Sequence, residues 1–126
     1  MNEPLRLKSL RIALALSGIA MLCLYPLSIV WPSGWTWHAG YSRYLPMIIG
    51  VYATLGAFLI GAARNPLAHR SLIAFTVWSS VVHATIMTAQ AFSSPEHRGH
   101  LLGDVPALFL VAIALGVLMP RGTAAT

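Results

Sequence analysis

Four long apolar stretches dominate this sequence and limit what it can fold into. They are Ile12–Trp31, Tyr44–Ala63, Ser71–Phe92 and Leu101–Met119. None contains Lys, Arg or Glu, and Asp occurs once, near the start of the last stretch. A helix needs about 20 apolar residues to cross a bilayer core roughly 30 Å thick, so each stretch predicts a membrane-spanning helix.

Length and composition leave room for one membrane domain and little else. The chain has 126 residues, of which 57% are hydrophobic and 9% are charged, whereas soluble domains carry about 25% charged residues. Four spans use roughly 80 residues by the helix-length rule. We therefore predict a single transmembrane domain over residues 1–126 with an all-α fold, an integral membrane four-helix bundle with short loops.

The 8 basic residues give a net charge of +5, and their positions indicate topology. They are spread along the chain, whereas nucleic-acid binders concentrate basic residues on one face, so we expect no nucleic-acid partner. Arg43 and Arg98 lie on one side of the predicted bilayer. The other six lie on the opposite side: Arg6, Lys8, Arg11, Arg64, Arg70 and Arg121. By the positive-inside rule, we expect a multi-pass protein of the inner (cytoplasmic) membrane with cytoplasmic N and C termini.

Proline and aromatic residues mark the outer end of the first span. Pro26 has no backbone N–H and should kink the helix there. The loop that follows and the start of the second span are rich in aromatic side chains, a pattern typical of an interfacial belt. These side chains are Trp31, Trp35, Trp37, Tyr41 and Tyr44.

Small residues recur along the second span. Ala53, Ala57 and Gly61 are spaced by four residues, a register that allows close helix contact in lipid. Such residues are also common in membrane helices generally, so both interpretations stay open. The turn at Asn65 and Pro66 is short, which predicts that the second and third spans are antiparallel neighbours.

The third span carries a polar stripe. Its members are Thr76, Ser80, His83, Met87 and Gln90, which recur at three- and four-residue spacings and share one helix face. Polar groups in a membrane helix avoid lipid, so this face should point into the bundle.

Three polar aromatic side chains from three spans are predicted to lie at one depth. At about 1.5 Å per residue, Tyr25, Tyr52 and His83 all lie roughly 18–20 Å from the cytoplasmic edge. Their donors and acceptors could bind a hydrophobic, quinone- or lipid-like ligand in a pocket that opens toward the outer face. Alternatively, His83 bonds a tyrosine or a serine and locks the bundle. The candidate ligand-binding residues are Tyr25, Tyr52, Ser80, His83, Met87 and Gln90.

A second polar cluster is predicted at the outer end. His97 and His100 are three residues apart, Asp104 begins the fourth span, and His38 lies in the first outer loop. Imidazoles and carboxylates bind zinc and copper, which makes these four residues a candidate metal site. The alternative is an ordinary polar loop in which Asp104 caps the helix that follows.

Several motifs distributed along the chain resemble a known family. They are Tyr25-Pro26-Leu27, residues 50–56 with Arg64-Asn65-Pro66, residues 69–73, residues 78–83 with Met87, and residues 99–104. Together they resemble a small bacterial membrane family described only as a domain of unknown function. The architecture is also similar to the wider DoxX-like group. The resemblance implies a four-helix bundle and assigns no activity and no catalytic residues.

Three functions remain open at this point. The first is a binding or accessory protein with an internal pocket around His83. The second is a membrane-embedded isomerase or redox accessory enzyme that uses His83 as an acid–base group. The third is a structural subunit, docked in a homo-oligomer or a larger membrane complex through the small residues of the second span. No catalytic residue is assigned and no cofactor is specified. A haem bound by His83 would need a second axial ligand from another span.

Overall fold

The computed structural model describes residues 2–36 and 43–120, and every regular element in them is a helix. This confirms the all-α prediction, but these residues form six α-helices instead of four. Two 3₁₀ segments, Pro66–His69 and Pro95–Leu102, precede the last two helices. The α-helices are α1 (Glu3–Leu22), α2 (Leu24–Val30), α3 (Pro32–Trp35), α4 (Tyr44–Ala62), α5 (Arg70–Ser93) and α6 (Asp104–Leu118).

Helix length and composition indicate a membrane protein. Within the described ranges, three helical stretches are long and apolar enough to cross a bilayer: Tyr44–Ala62, Pro66–Ser93 and Pro95–Leu118. The pair α1–α2 passes the same test as a unit, with a bend of 56° at its break. The described residues therefore contain three such stretches, or four if the bent pair forms one span.

The break between α1 and α2 follows from Pro26. The proline has no N–H to donate to the carbonyl of Leu22, and its ring crowds that carbonyl. The N–H of Cys23 instead bonds back to the carbonyls of Ile19 and Ala20, at 3.0 and 3.1 Å, which closes α1 before the bend. The kink predicted from Pro26 is thus confirmed, and it redirects the chain into α2.

The long helices pack in the order α4, α1, α6, α5. α1 packs along both α4 and α6, and α5 packs along α6. We expected the second and third spans to be close neighbours, but α4 and α5 do not pack closely and a seam remains between them. The 66–69 segment packs on α1 as well as on α4 and α5, so it carries the chain away from α4 before α5 begins.

The two ends of the bundle are built differently. We call basal the end at which α1 begins and α6 ends, and distal the end formed by α3 and the 95–102 segment. Apolar packing is concentrated in the basal half, and Arg70 ties that end together by donating from Nη2 to the carbonyl of Pro120 at 3.0 Å. The fully buried apolar side chains include Leu10, Leu14, Leu59, Ile73 and Leu115.

α1 and α4 cross at two glycines. A Cβ added to Gly18 would lie 2.5 Å from the carbonyl oxygen of Gly56, and one added to Gly56 would lie 2.6 Å from that of Gly18. The small-residue face predicted at Ala53, Ala57 and Gly61 is not this contact: Ala57 is exposed, and a Cβ on Gly61 would meet nothing within 4 Å. Successive residues are about 100° apart around a helix, so the face at Gly56 meets α1 and the neighbouring face does not.

Candidate binding cavity

A cavity of about 630 Å³ occupies the distal half of the bundle. Its walls come from both segments of the bent pair and from α4, α5 and α6, and they include Met21, Leu24, Ile49, Leu108 and Val111. By helix rise, the distance from His83 to Ser94 gives the cavity a length of about 16 Å along the bundle. Polar side chains lie at its basal end, Ser17, Tyr52 and His83, and at its distal end, Gln90, Ser94, His97 and Asp104.

Tyr52 and His83 form the floor of the cavity. Tyr52, on α4, packs against the buried apolar core, and His83 faces it from α5. The Tyr52 hydroxyl is hydrogen-bonded to Nδ1 of His83, and the ring centroids lie 5.6 Å apart. This bond bridges the seam between α4 and α5. It leaves Nε2 of His83 without a hydrogen-bond partner in the part of the chain that the structure describes.

The Tyr52–His83 bond bears on both interpretations of His83. The structural interpretation requires a bond between two helices, and the Tyr52–His83 bond provides it. The ligand interpretation requires a cavity beside the His83 ring, and such a cavity is present. Because a neutral imidazole has a second nitrogen, the residue can serve both purposes at once. The bond shows that the two residues lie at the same level of the bundle, as the rise per residue predicts.

The other predicted ligand-binding residues divide into two groups. Met87, which is 5% exposed, and Gln90 both line the α5 wall of the cavity. Ser80 is 2% exposed, but it lies on a buried face of α5 away from the cavity lining. Tyr25 is 60% exposed and does not line the cavity either, so its predicted place beside His83 is wrong. The bend before α2 leaves the Tyr25 side chain on the outer surface.

His100 holds the distal end of the bundle together. It is 1% exposed. Its Nδ1 lies 3.0 Å from each carboxylate oxygen of Asp104, and its Nε2 lies 3.0 Å from the carbonyl oxygen of Thr36. The Thr36 carbonyl accepts a hydrogen bond from Nε2–H, and Nδ1 shares a proton with the Asp104 carboxyl group, so both ring nitrogens are occupied. The buried pair therefore ties the 95–102 segment to α6 and to the chain after α3.

Two glycines allow α3 to lie against the 95–102 segment. A Cβ on Gly99 would lie 2.5 Å from the carbonyl oxygen of Ser33, and one on Gly103 would lie 2.3 Å from that of Gly34. Any side chain at these positions would force the two segments apart. Their close approach also holds the chain after α3 within reach of the His100 ring.

The four predicted metal ligands do not assemble a metal site within residues 2–36 and 43–120. His38 lies outside these residues, and inside them no group of three His, Cys, Asp or Glu side chains could hold a metal ion. Both nitrogens of His100 are already occupied by hydrogen bonds. α6 does begin at Asp104, but its carboxylate bonds His100, and no side chain caps the helix. His97 lines the cavity, with its ring centroid 5.9 Å from that of His100.

Trp35 is a cavity residue that the sequence analysis missed. Its side chain lines the distal part of the cavity, and its buried indole Nε1–H has no hydrogen-bond partner among the residues described. Tyr44, at the start of α4, lines the same space. Both belong to the predicted aromatic belt, and no sequence signal separates them from Trp31, whose ring packs edge-on against Trp35 at 6.5 Å.

Comparison with known proteins identifies a family whose function is unknown. Ferric-chelate reductase 1 of Bos taurus is 39% identical over 79 residues, which make up 61% of this chain and 12% of that protein. No solved structure matches the chain. The predicted resemblance to a family of unknown function agrees with the family found, whereas the likeness to the DoxX-like group stays a prediction. The model of the Family of unknown function (DUF6632) matches residues 4–125, and the chain belongs to that family.

Proposed function

We propose that this chain is a small binding or accessory protein of the bacterial inner membrane, with a cavity for a hydrophobic, quinone- or lipid-like ligand. In this proposal the bent pair α1–α2 acts as one span, which gives four spans and places both termini on one side. Five of the 8 basic residues, Arg6, Lys8, Arg11, Arg64 and Arg70, lie toward the basal ends of these spans, which supports a cytoplasmic location for that end. Many large apolar side chains are exposed on the bundle surface, as contact with a bilayer requires.

The observation that carries the proposal is the cavity beside Tyr52 and His83. Its volume of about 630 Å³ falls in the range of roughly 300–1,000 Å³ that is typical of small-molecule sites. Apolar walls with a few polar groups at the ends suit a hydrophobic ligand that must be held in one orientation. When the Tyr52 hydroxyl donates to Nδ1, the Nε2–H of His83 can donate to a quinone carbonyl.

The ligand content of gently purified protein tests the proposal. Native mass spectrometry of the wild type should show a bound apolar molecule that His83→Ala loses. Thr85→Ala is the matched control, because Thr85 is exposed on the same helix and its hydroxyl donates to the Val81 carbonyl of that helix at 2.7 Å. Wild-type protein that carries no small molecule after mild extraction would contradict a binding function.

A second candidate is a redox accessory enzyme, which the similarity to Ferric-chelate reductase 1 favours. A quinol bound at the cavity floor could pass one electron to each of two ferric chelates, which gives a quinone, two ferrous ions and two protons. His83 would accept one of these protons as a general base. Protein supplied with a quinol and a ferric chelate should then reduce iron faster than His83→Ala does. Equal rates with and without protein would exclude this candidate.

A further inference from the structure

An apolar groove lies along the seam between α4 and α5. It has a volume of about 400 Å³, and its walls include Val51 and Leu55 from α4 and Phe75 and Ser79 from α5. The Ser79 hydroxyl donates to the Thr76 carbonyl in its own helix at 3.3 Å. The groove therefore offers mainly hydrocarbon surface to an occupant.

The groove and the internal cavity meet at the same side chains. Tyr44, Ile48, Tyr52 and His83 line both spaces. Since α4 and α5 do not pack closely, the division between the two spaces consists of side chains and not of backbone. Side chains can change rotamer without repacking of the helices. One elongated molecule can therefore occupy both spaces, passing between the helices beside the Tyr52–His83 bond.

The cavity suits an uncharged headgroup. No Lys or Arg occurs among the described residues that line it, and the acidic group there, Asp104, is paired with His100. A phosphate in this space would be buried without a cation, which is energetically costly. In contrast, the Nε1–H of Trp35 lacks a partner among the described residues and can donate to a carbonyl or hydroxyl oxygen, as can Nε2 of His83.

We propose that the groove holds the hydrocarbon tail of an uncharged amphiphile whose oxygen-bearing headgroup lies in the cavity. The assignment rests on the proposed binding function and adds the charge of the ligand and the position of its tail. Isoprenoid quinones and isoprenoid alcohols share this chemistry. A phospholipid does not, because its headgroup carries a charged phosphate.

Three probes separate the effects of headgroup, tail and charge. The first is a methoxy-substituted benzoquinone without a tail, and the second is the same headgroup with a tail of two isoprene units. The third is geranyl phosphate, which has the same tail and an anionic headgroup. Binding to the protein in nanodiscs is measured by native mass spectrometry at matched mole fractions of probe. Wild-type protein should bind the tailed quinone most tightly and geranyl phosphate least tightly.

Two substitutions fill the groove without touching the cavity lining. Ser79→Phe should lower the affinity for the tailed quinone about tenfold, equivalent to ~1.4 kcal/mol, and leave the tail-less headgroup unaffected. Val82→Phe is the matched control, because Val82 is 56% exposed on the same helix and lines neither space. Val51→Phe, at a position that is 68% exposed on the α4 wall, repeats the test if Ser79→Phe does not fold.

The outcomes distinguish this proposal from the proposed function. If the wild type binds neither quinone, the binding function itself fails. If the wild type binds both quinones but Ser79→Phe and Val51→Phe bind the tailed one equally well, the groove holds an ordinary lipid chain and the tail assignment is wrong. Binding of geranyl phosphate as tight as that of the tailed quinone would overturn the uncharged headgroup.

Discussion

Replacing His100 with alanine should destabilise the distal end of the bundle by more than one ordinary hydrogen bond. The ring contacts both carboxylate oxygens of Asp104 and the carbonyl of Thr36, each at 3.0 Å. Without the ring, Asp104, which is 8% exposed, loses its hydrogen-bond partner and a backbone carbonyl loses its donor. Removing one member of a buried ion pair costs ~3–5 kcal/mol, and removing one member of a neutral buried hydrogen-bonded pair costs ~1–3 kcal/mol. Because Asp104 keeps some exposure and a further interaction, we expect a loss of about 2–4 kcal/mol in the free energy of unfolding.

Reversible unfolding in mixed micelles measures this loss, with a denaturing detergent as titrant and circular dichroism as the readout of helix content. His69→Ala is the control, because His69 is exposed in the 66–69 segment, and its effect should be under ~0.5 kcal/mol. Asp104→Ala, alone and combined with His100→Ala, completes a double-mutant cycle with an expected coupling of about 1–3 kcal/mol. Strictly additive losses, or wild-type unfolding of His100→Ala, would refute the buried pair.

Three further predictions concern the helix crossing, the seam and the topology. Gly56→Leu should unfold at a lower detergent fraction than the wild type, because a Cβ there already lies 2.6 Å from the backbone of α1, whereas Gly61→Leu, with open space around it, should not. Tyr52→Phe removes the hydroxyl that bridges the seam, so it should lose about 1 kcal/mol of stability and part of the bound ligand, and wild-type values in both assays would argue against the bridge. A reporter active only outside the cytoplasm should be silent when fused after Arg121 and active when inserted at Gly99, and the opposite pattern would reverse the topology.

The depth of a residue along a span can be predicted from the sequence, but its direction around the helix cannot. Tyr52 and His83 meet as the rise per residue predicts. Tyr25 has a similar predicted depth, yet the bend before α2 leaves it on the outer surface. In the same way, Gly56 packs on α1, whereas Gly61 faces open space. The sequence does not distinguish the two glycines, because small residues occur on several faces of membrane helices and do not by themselves mark a helix contact.

Contacts between residues far apart in sequence are the other part that local patterns miss. The four-residue spacing of His100 and Asp104, which lets their side chains meet, can be read from the sequence. The carbonyl of Thr36, in contrast, is 64 residues away from His100 along the chain. That distant acceptor occupies the second ring nitrogen of His100. Without it, one nitrogen would be unoccupied and His100 would remain a candidate metal ligand. The groove was not predicted for a related reason: it exists because α4 and α5 do not pack closely, and no local pattern specifies that separation.

Tyr52 and His83 form the floor of the proposed ligand-binding cavity, and the most direct test of this role measures ligand content and stability together in variants of His83. His83→Ala should lose the bound molecule while the bundle stays folded, with a loss of ~1–3 kcal/mol from the unpaired Tyr52 hydroxyl. His83→Gln keeps a donor and an acceptor and should recover part of both properties. Thr85→Ala should match the wild type in both assays. Wild-type ligand content together with wild-type stability in His83→Ala would contradict the claim.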